Sequence, residues 1–285
     1  MKILAIIVTY NGMRWVDRCL GSVYASQTPM DAFVADNGSS DGTAGYVEEH
    51  FPEAVLVRNA SNLGFAEGNN QGFRYALEHG YDYVYLLNQD AWIDPETAGE
   101  LVRVHEARPE FGILSPYQYQ ADGRTYNPVF EKEVMASRRE VPGMPGLSSV
   151  PFVMAAHWFM PADTLRRVGL FAELFPIYGN DDDYCHRVLY RGLKLGVVGT
   201  VRGIHDKQYG PVSVEQKVYR NYYMGSLVAL ADPRRPWCLS ALYVIALTFV
   251  KTLRYRSLVP FRYLVRIFGS DDMRAVRKLR REALV

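Results

Sequence analysis

The residues best suited to chemistry lie in five short clusters. Asp36-Asn37-Gly38-Ser39-Ser40-Asp41-Gly42-Thr43 sets two carboxylates around a turn. A carboxylate at a strand tip can accept hydrogen bonds from a base edge or a ribose hydroxyl; a turn with a helix cap is the plain alternative. Asn62-Leu63-Gly64-Phe65-Ala66-Glu67-Gly68-Asn69-Asn70-Gln71-Gly72 gathers glycines and amides at a helix start. Such a start suits a phosphate or sugar, although tight helix–sheet packing accounts for the same glycines. In Asn88-Gln89-Asp90, Asp90 follows an apolar run and can hold a hard divalent cation, with phosphate oxygens and water completing its shell. Asn180-Asp181-Asp182-Asp183 opens a helix whose dipole partly offsets the repulsion of three carboxylates. In a cleft, one of them can take a proton from an attacking hydroxyl; on a surface it is only a solvated helix start. His205 can ligate a metal or donate to a phosphate, or be purely structural.

These clusters need an architecture that brings them together. Ile3–Thr9, Ala32–Ala35, Val55–Val57, Tyr83–Leu87 and Gly112–Ser115 are strand-like apolar runs. Helical patterns over Trp15–Ala25, Asp41–His50, Phe65–Glu78 and Pro95–Ala107 separate them. This alternation predicts an α/β fold with a mostly parallel sheet covered by helices. Polar loops after the strands would then converge on one sheet edge, where ligands bind in such folds. Residues 118–149, rich in Pro and Gly, read as a flexible flap. Further helices are expected near Ala162–Val168, Asp181–Tyr190 and Val214–Leu230, with more beyond Pro236.

The ordered series IVTYNG, DNGSSDGT, NLGFAEGNNQG, LNQD and NDDDYCHR resembles the inverting glycosyltransferases of family 2, over roughly residues 1–225. The resemblance implies a GT-A fold, Rossmann-like with helices on both faces, plus a helical C-terminal extension. It implies that Thr9, Tyr10, Asn11 and Asp36 contact base and ribose. Asn62, Gly64, Asn69 and Gln89 complete the expected nucleotide site. Asp90 matches the last Asp of the family's DXD motif, with Asn88 replacing the first; His205 matches a histidine near the metal and diphosphate. Mg2+ or Mn2+ is the implied cofactor. The acidic motif makes Asp181 the implied base, with Asn180 replacing the usual Glu and Asp183 binding acceptor or orienting the base. Arg220-Asn221 resembles a pair found on the following helix. The pattern around Asp181 to Arg187 is similar to bacterial rhamnosyl- and galactofuranosyltransferases. The implied donor is a UDP- or dTDP-linked sugar, and the acceptor a saccharide, expected to be lipid-linked. The expected organisation is a catalytic domain over 1–212, with a nucleotide half to about 117 and an acceptor half over 118–212, then a helical basic region over 213–285.

The chain has 285 residues, 48% hydrophobic, with a formal net charge of +1. That excludes disorder and argues against nucleic acid as a partner. The average conceals an asymmetry, because residues 251–285 carry +7 and residues 1–250 carry −6. Three scattered cysteines, Cys19, Cys185 and Cys238, suggest neither disulfides nor a zinc site and fit a reducing, cytoplasmic compartment. Met1 to Val8 reads as a first strand rather than a signal peptide. The apolar run Cys238–Val250 is about 13 residues, short of a span, so it is expected to lie on a membrane or in an oligomer interface. A non-catalytic nucleotide-sugar-binding relative is disfavoured because Asp36, Asp90 and Asp181 are all present. A nucleotide-sugar pyrophosphorylase would want a Gly-rich phosphate loop where Thr9-Tyr10-Asn11-Gly12 stands.

Overall fold

The computed structural model describes residues 1–208, 210, 213–269 and 271–284. Val212, where the catalytic domain was expected to end, lies outside the described residues. The first half is a run of β/α units: β1 (Ile3–Thr9), α1 (Val16–Tyr24), β2 (Asp31–Asp36), α2 (Thr43–His50), β3 (Val55–Arg58), α3 (Gly64–Glu78) and β4 (Tyr83–Leu87). It continues through β5 (Ala91–Ile93), α4 (Thr97–Ala107) and β6 (Phe111–Tyr119). β1 is apolar throughout because both its faces are covered: Ile3, Ala5 and Ile7 enter one core, Leu4 and Ile6 the other. In α1, Val16, Cys19, Leu20 and Val23 form the buried stripe that helical spacing demands.

The second half adds β7 (Arg139–Glu140), β8 (Leu147–Val150), β9 (His157–Pro161), α5 (Ala162–Val168), α6 (Asn180–Tyr190) and β10 (Lys194–His205). All strands join one sheet in the order β3-β2-β1-β4-β9-β6-β10-β8-β7, with β5 paired to the end of β10. The parallel arrangement expected from the β/α alternation holds for β1 to β4. Beyond β4 the sheet is mixed, since β9 runs antiparallel to β4 and β6 while β10 runs parallel to β6. Strand order reverses direction between β1 and β4, which makes their carboxyl ends the switch point where a ligand fits.

The flexible flap expected over residues 118–149 is not what the structure shows. β8 pairs with β10 and β7 with β8, and a π-helical turn over Phe130–Val134 buries Phe130 and Val134 completely. The Pro and Gly residues shape turns between packed pieces. After β10 the chain forms α7 (Val214–Val218), a π-helical turn (Tyr219–Met224), α8 (Gly225–Ala231), α9 (Trp237–Tyr255), α10 (Val259–Gly269) and α11 (Asp271–Leu284). These helices enclose a third core that includes Tyr223, Leu227, Val244, Ile267 and Val276, together with Phe175 from the segment that leads into α6. The apolar run expected to be about 13 residues belongs to a 19-residue helix, long and apolar enough to span a membrane by length and composition.

Candidate active site

At the β1 tip, Thr9 is buried and its hydroxyl donates to Asp36 Oδ1 at 2.8 Å. The Ser39 amide donates to Asp36 Oδ2 at 2.9 Å and the Ser39 hydroxyl to Oδ1. Thr9 therefore orients Asp36 and shapes the turn instead of facing a ligand itself. Asn11, with φ of 49°, accepts from the Ser40 amide at 2.9 Å and locks the β1 loop against the β2 loop. Tyr10 keeps its ring 47% exposed, free to stack on a flat base. Gln89 clamps the two strand tips, accepting from the Tyr10 amide at 2.9 Å and donating back to its carbonyl at 3.3 Å.

The α3 cluster departs from the expected nucleotide contacts. Asn69 is buried and its amide donates to the Phe65 carbonyl at 2.8 Å, within its own helix. Asn62 is taken up by its turn, accepting from the Gly64 amide at 2.9 Å and the Asn37 side chain at 3.3 Å. Gly64 has φ of +83°, and a Cβ there would come within 2.7 Å of the Pro176 carbonyl oxygen. It thus admits the segment leading into α6; close packing, the plain alternative, accounts for this glycine.

Asp90 and His205 meet across the β5–β10 pairing, with Asp90 Oδ1 3.4 Å from His205 Nε2. Burial raises the Asp90 carboxyl, but the hydrogen bond and charge of His205, and the charge of Lys207, outweigh it and hold the pKa below the usual value. No group of three or more His, Cys, Asp or Glu side chains gathers as a metal site among the described residues. One carboxylate and one imidazole fit a Mg2+ or Mn2+ whose other positions belong to diphosphate and water, and do not fit a closed structural site. Behind them His157 is fully buried between Tyr85 and the Ile204 carbonyl, and burial, then repulsion from His205, pushes its pKa down to about 3.

Gly179 caps α6 in the left-handed region at φ of 83°. Asp181 is half-buried at the first turn, and burial pushes its carboxyl above the usual range. Asp182, exposed in the same turn, is pushed up to about 7 by partial desolvation and by the charges of Asp181, Glu133 and Asp183. Asp183 is different, which corrects the expectation that it binds acceptor or orients the base. It is 1% exposed and faces Arg187 at 2.9 Å, while the Arg187 guanidinium also donates to the Val168 and Leu170 carbonyls. It anchors α6 to the α5 end. The i, i+4 spacing in the sequence allowed this pair, but its burial was not visible there.

Two cations were missed as site residues. Lys207 interacts electrostatically with both Asp90 and Asp181, which places it within reach of both carboxylates. Arg220, quoted only for its neighbourhood with Asn221, acts on Asp181, Asp182 and Lys207 and lies 5.3 Å over the Tyr178 ring. The only sequence signal for Lys207 was its place two residues after His205. The loop is held because Asp206 accepts from Trp15 Nε1 at 2.9 Å.

A parallel first half with Asp90 just beyond the β1/β4 switch point, joined to a mixed second half, defines a GT-A fold. Residues 4–166 match the model of glycosyl transferase family 2, and the chain belongs to that family. It is 24% identical over 234 residues to the low-salt glycan biosynthesis hexosyltransferase Agl10 of Haloferax volcanii, covering 78% of this chain and 74% of that one. It is 26% identical to the undecaprenyl-phosphate mannosyltransferase of Micrococcus luteus, over 68% of this chain and 81% of that one. Among solved structures, the mannosyltransferase PcManGT of Pyrobaculum calidifontis, in complex with GDP-Man and Mn2+, superposes with a TM-score of 0.59. That likeness, at 16% identity, covers 99% of this chain and 87% of that one, and shows the fold.

Proposed function

We propose that the chain is an inverting glycosyltransferase that moves a hexosyl or deoxyhexosyl group from a UDP- or dTDP-linked donor to a hydroxyl of a lipid-linked saccharide. The setting is cell-surface polysaccharide synthesis at the cytoplasmic side of a membrane. The observation that carries this reading is that Lys207 interacts with both Asp90, which meets His205 at 3.4 Å, and Asp181. Lipid-carrier chemistry in the name of the Micrococcus luteus relative supports the acceptor class.

Tyr10 stacks on the nucleoside base above the turn that Asp36 holds in shape, and Asp90 and His205 would hold the divalent cation. Asp181, its carboxyl raised by burial, is a stronger base than a solvated carboxylate. It takes the proton from the acceptor hydroxyl as that oxygen attacks the anomeric carbon, opposite the bond to the diphosphate. That bond breaks with its electrons on the diphosphate, and the configuration inverts. Lys207 and Arg220 attract the charge that grows on the leaving group. The divalent cation, when bound, supplies further neutralisation of the same charge.

A panel of nucleotide sugars with Mg2+ or Mn2+, read by nucleoside diphosphate release and by the anomeric configuration of the product, tests this. Asp181→Asn and Asp90→Ala should each lower transfer by about 10²- to 10⁴-fold. Turnover near wild type in either variant, or a retained configuration, overturns the assignment.

A further inference from the structure

We infer that the outer face of α9 and α10 docks on an anionic lipid bilayer, with α9 lying in the interface rather than crossing it. This deepens the proposed function, resting on its lipid-linked acceptor.

The first observation is that α9 is amphipathic in reverse. Its protein-facing stripe is small or polar, namely Ser240, Ala241, Val244 and Thr248. Its large apolar side chains face outward: Leu242, Phe249 and Leu253 are 63%, 55% and 78% exposed, and Val265 of α10 is 73% exposed. Only 22% of the apolar window of α9 is buried against the body, so most of an apolar helix stands uncovered.

The second observation is charge. Residues 233–269 contain seven basic side chains and no carboxylate. Arg234 and Arg235 pair with Asp232, and Arg266 with Asp272. Among the described residues, Lys251, Arg254, Arg256 and Arg262 pair with none. A second copy docked face to face would set this charge against itself. An anionic surface complements it, and the apolar side chains between the cations have an acyl boundary to enter.

The third observation decides between lying and crossing. Thr248 in mid-helix hydrogen-bonds the Tyr222 hydroxyl at 2.6 Å, and Val244 is completely buried in the third core. A spanning α9 would break this seam along its whole length; an in-plane α9 keeps it.

The chain carries its own probe, because Cys238 in the first turn of α9 is exposed while Cys19 and Cys185 are buried. Full-length protein labelled at Cys238 with a polarity-sensitive dye is mixed with vesicles of equal phosphatidylglycerol and phosphatidylcholine, or of phosphatidylcholine alone. The expected result is a blue shift and co-flotation with the anionic vesicles, lost at high salt, and release by an alkaline carbonate wash. Phe249→Glu with Leu253→Glu should weaken partition by at least about tenfold. Arg254→Glu with Arg262→Glu should weaken it by about 25-fold or more, at about fivefold per cation. Wild-type protein that stays unbound at low salt overturns the inference. So does retention through the carbonate wash, which means a span, or a wild-type dimer that the same substitutions dissolve, which means a self-interface. Transfer to a soluble acceptor analogue is measured alongside: if it persists without flotation, the docking fails and the proposed reaction stands; flotation without transfer does the reverse.

Discussion

Replacing Asp183 by asparagine keeps the shape of the side chain and removes its charge, leaving the nearly buried Arg187 guanidinium opposite a neutral partner at 2.9 Å. Removing one member of a buried ion pair costs about 3–5 kcal/mol, because the other charge stays desolvated. Burial already pushes the Asp183 carboxyl up against the pull of Arg187, and the Val168 and Leu170 carbonyls still hold the guanidinium, so the low end applies. At about 2.1 cal/mol/K per residue, unfolding 285 residues carries about 0.6 kcal/mol/K, so about 3 kcal/mol lowers Tm by about 5 °C. Asp183→Leu combined with Arg187→Met should regain most of this, because an apolar pair has no charge to desolvate. Asp181→Asn should show the opposite signature: Tm unchanged or slightly raised, since burial disfavours that charge, and transfer lost. Thermal melts, paired with nucleoside diphosphate release well below Tm, separate the two positions. If Asp183→Asn melts with the wild type yet transfers as poorly as Asp181→Asn, the Asp183 carboxylate takes part in the chemistry and the architectural assignment is wrong.

The acid limb of the transfer profile should lie above the usual carboxylate range, because burial raises Asp181, and Arg220→Gln should move it to higher pH by removing a positive charge that lowers that carboxyl. A limb that stays in place in that variant counts against Asp181 as the base. His157 is held neutral, with its pKa lowered from 6.5 to about 3, so its contribution is intact above pH 6.5 and is lost as pH falls towards 3. Between pH 7 and 5 this removes about 2 kcal/mol and about 3 °C of Tm, and His157→Gln should flatten that dependence in calorimetry. Gly64→Ala forces a left-handed alanine against the Pro176 carbonyl and should cost about 2 kcal/mol, with transfer reduced through the displaced approach to α6. An unchanged melt would mean that this approach is slack.

The β/α units were legible because their strands are apolar on both faces and end in turn residues, and that pattern is local. The second half was not: β8 finds its partner in β10, some fifty residues on, and no spacing rule announces such a pairing. The site shows the same division. Asp90, His205 and Asp181 carried a signal in residue type and position, and Asp90 and His205 meet at 3.4 Å. Asn69 and Asp183 have the same polarity on paper as surface residues, and only the packing of α3 and α6 shows that both point inward. Lys207 gains its meaning from two carboxylates 117 and 26 positions before it, a relation that exists only after folding.

Gly179, which caps α6 one residue before the acidic run, has no room for a side chain because Val228 of α8 lies against it; a Cβ there would meet Val228 Cγ2 at 2.7 Å. Phe175, just upstream, is likewise packed among residues that come 48 positions or more later. On the ribosome, the β1–β4 units emerge while the rest is being made, but the cap of α6 has no wall to rest on until α8 has emerged. The nascent chain can thus complete its parallel β/α units well before the start of α6 is supported, so a chain released early keeps the first and lacks the second.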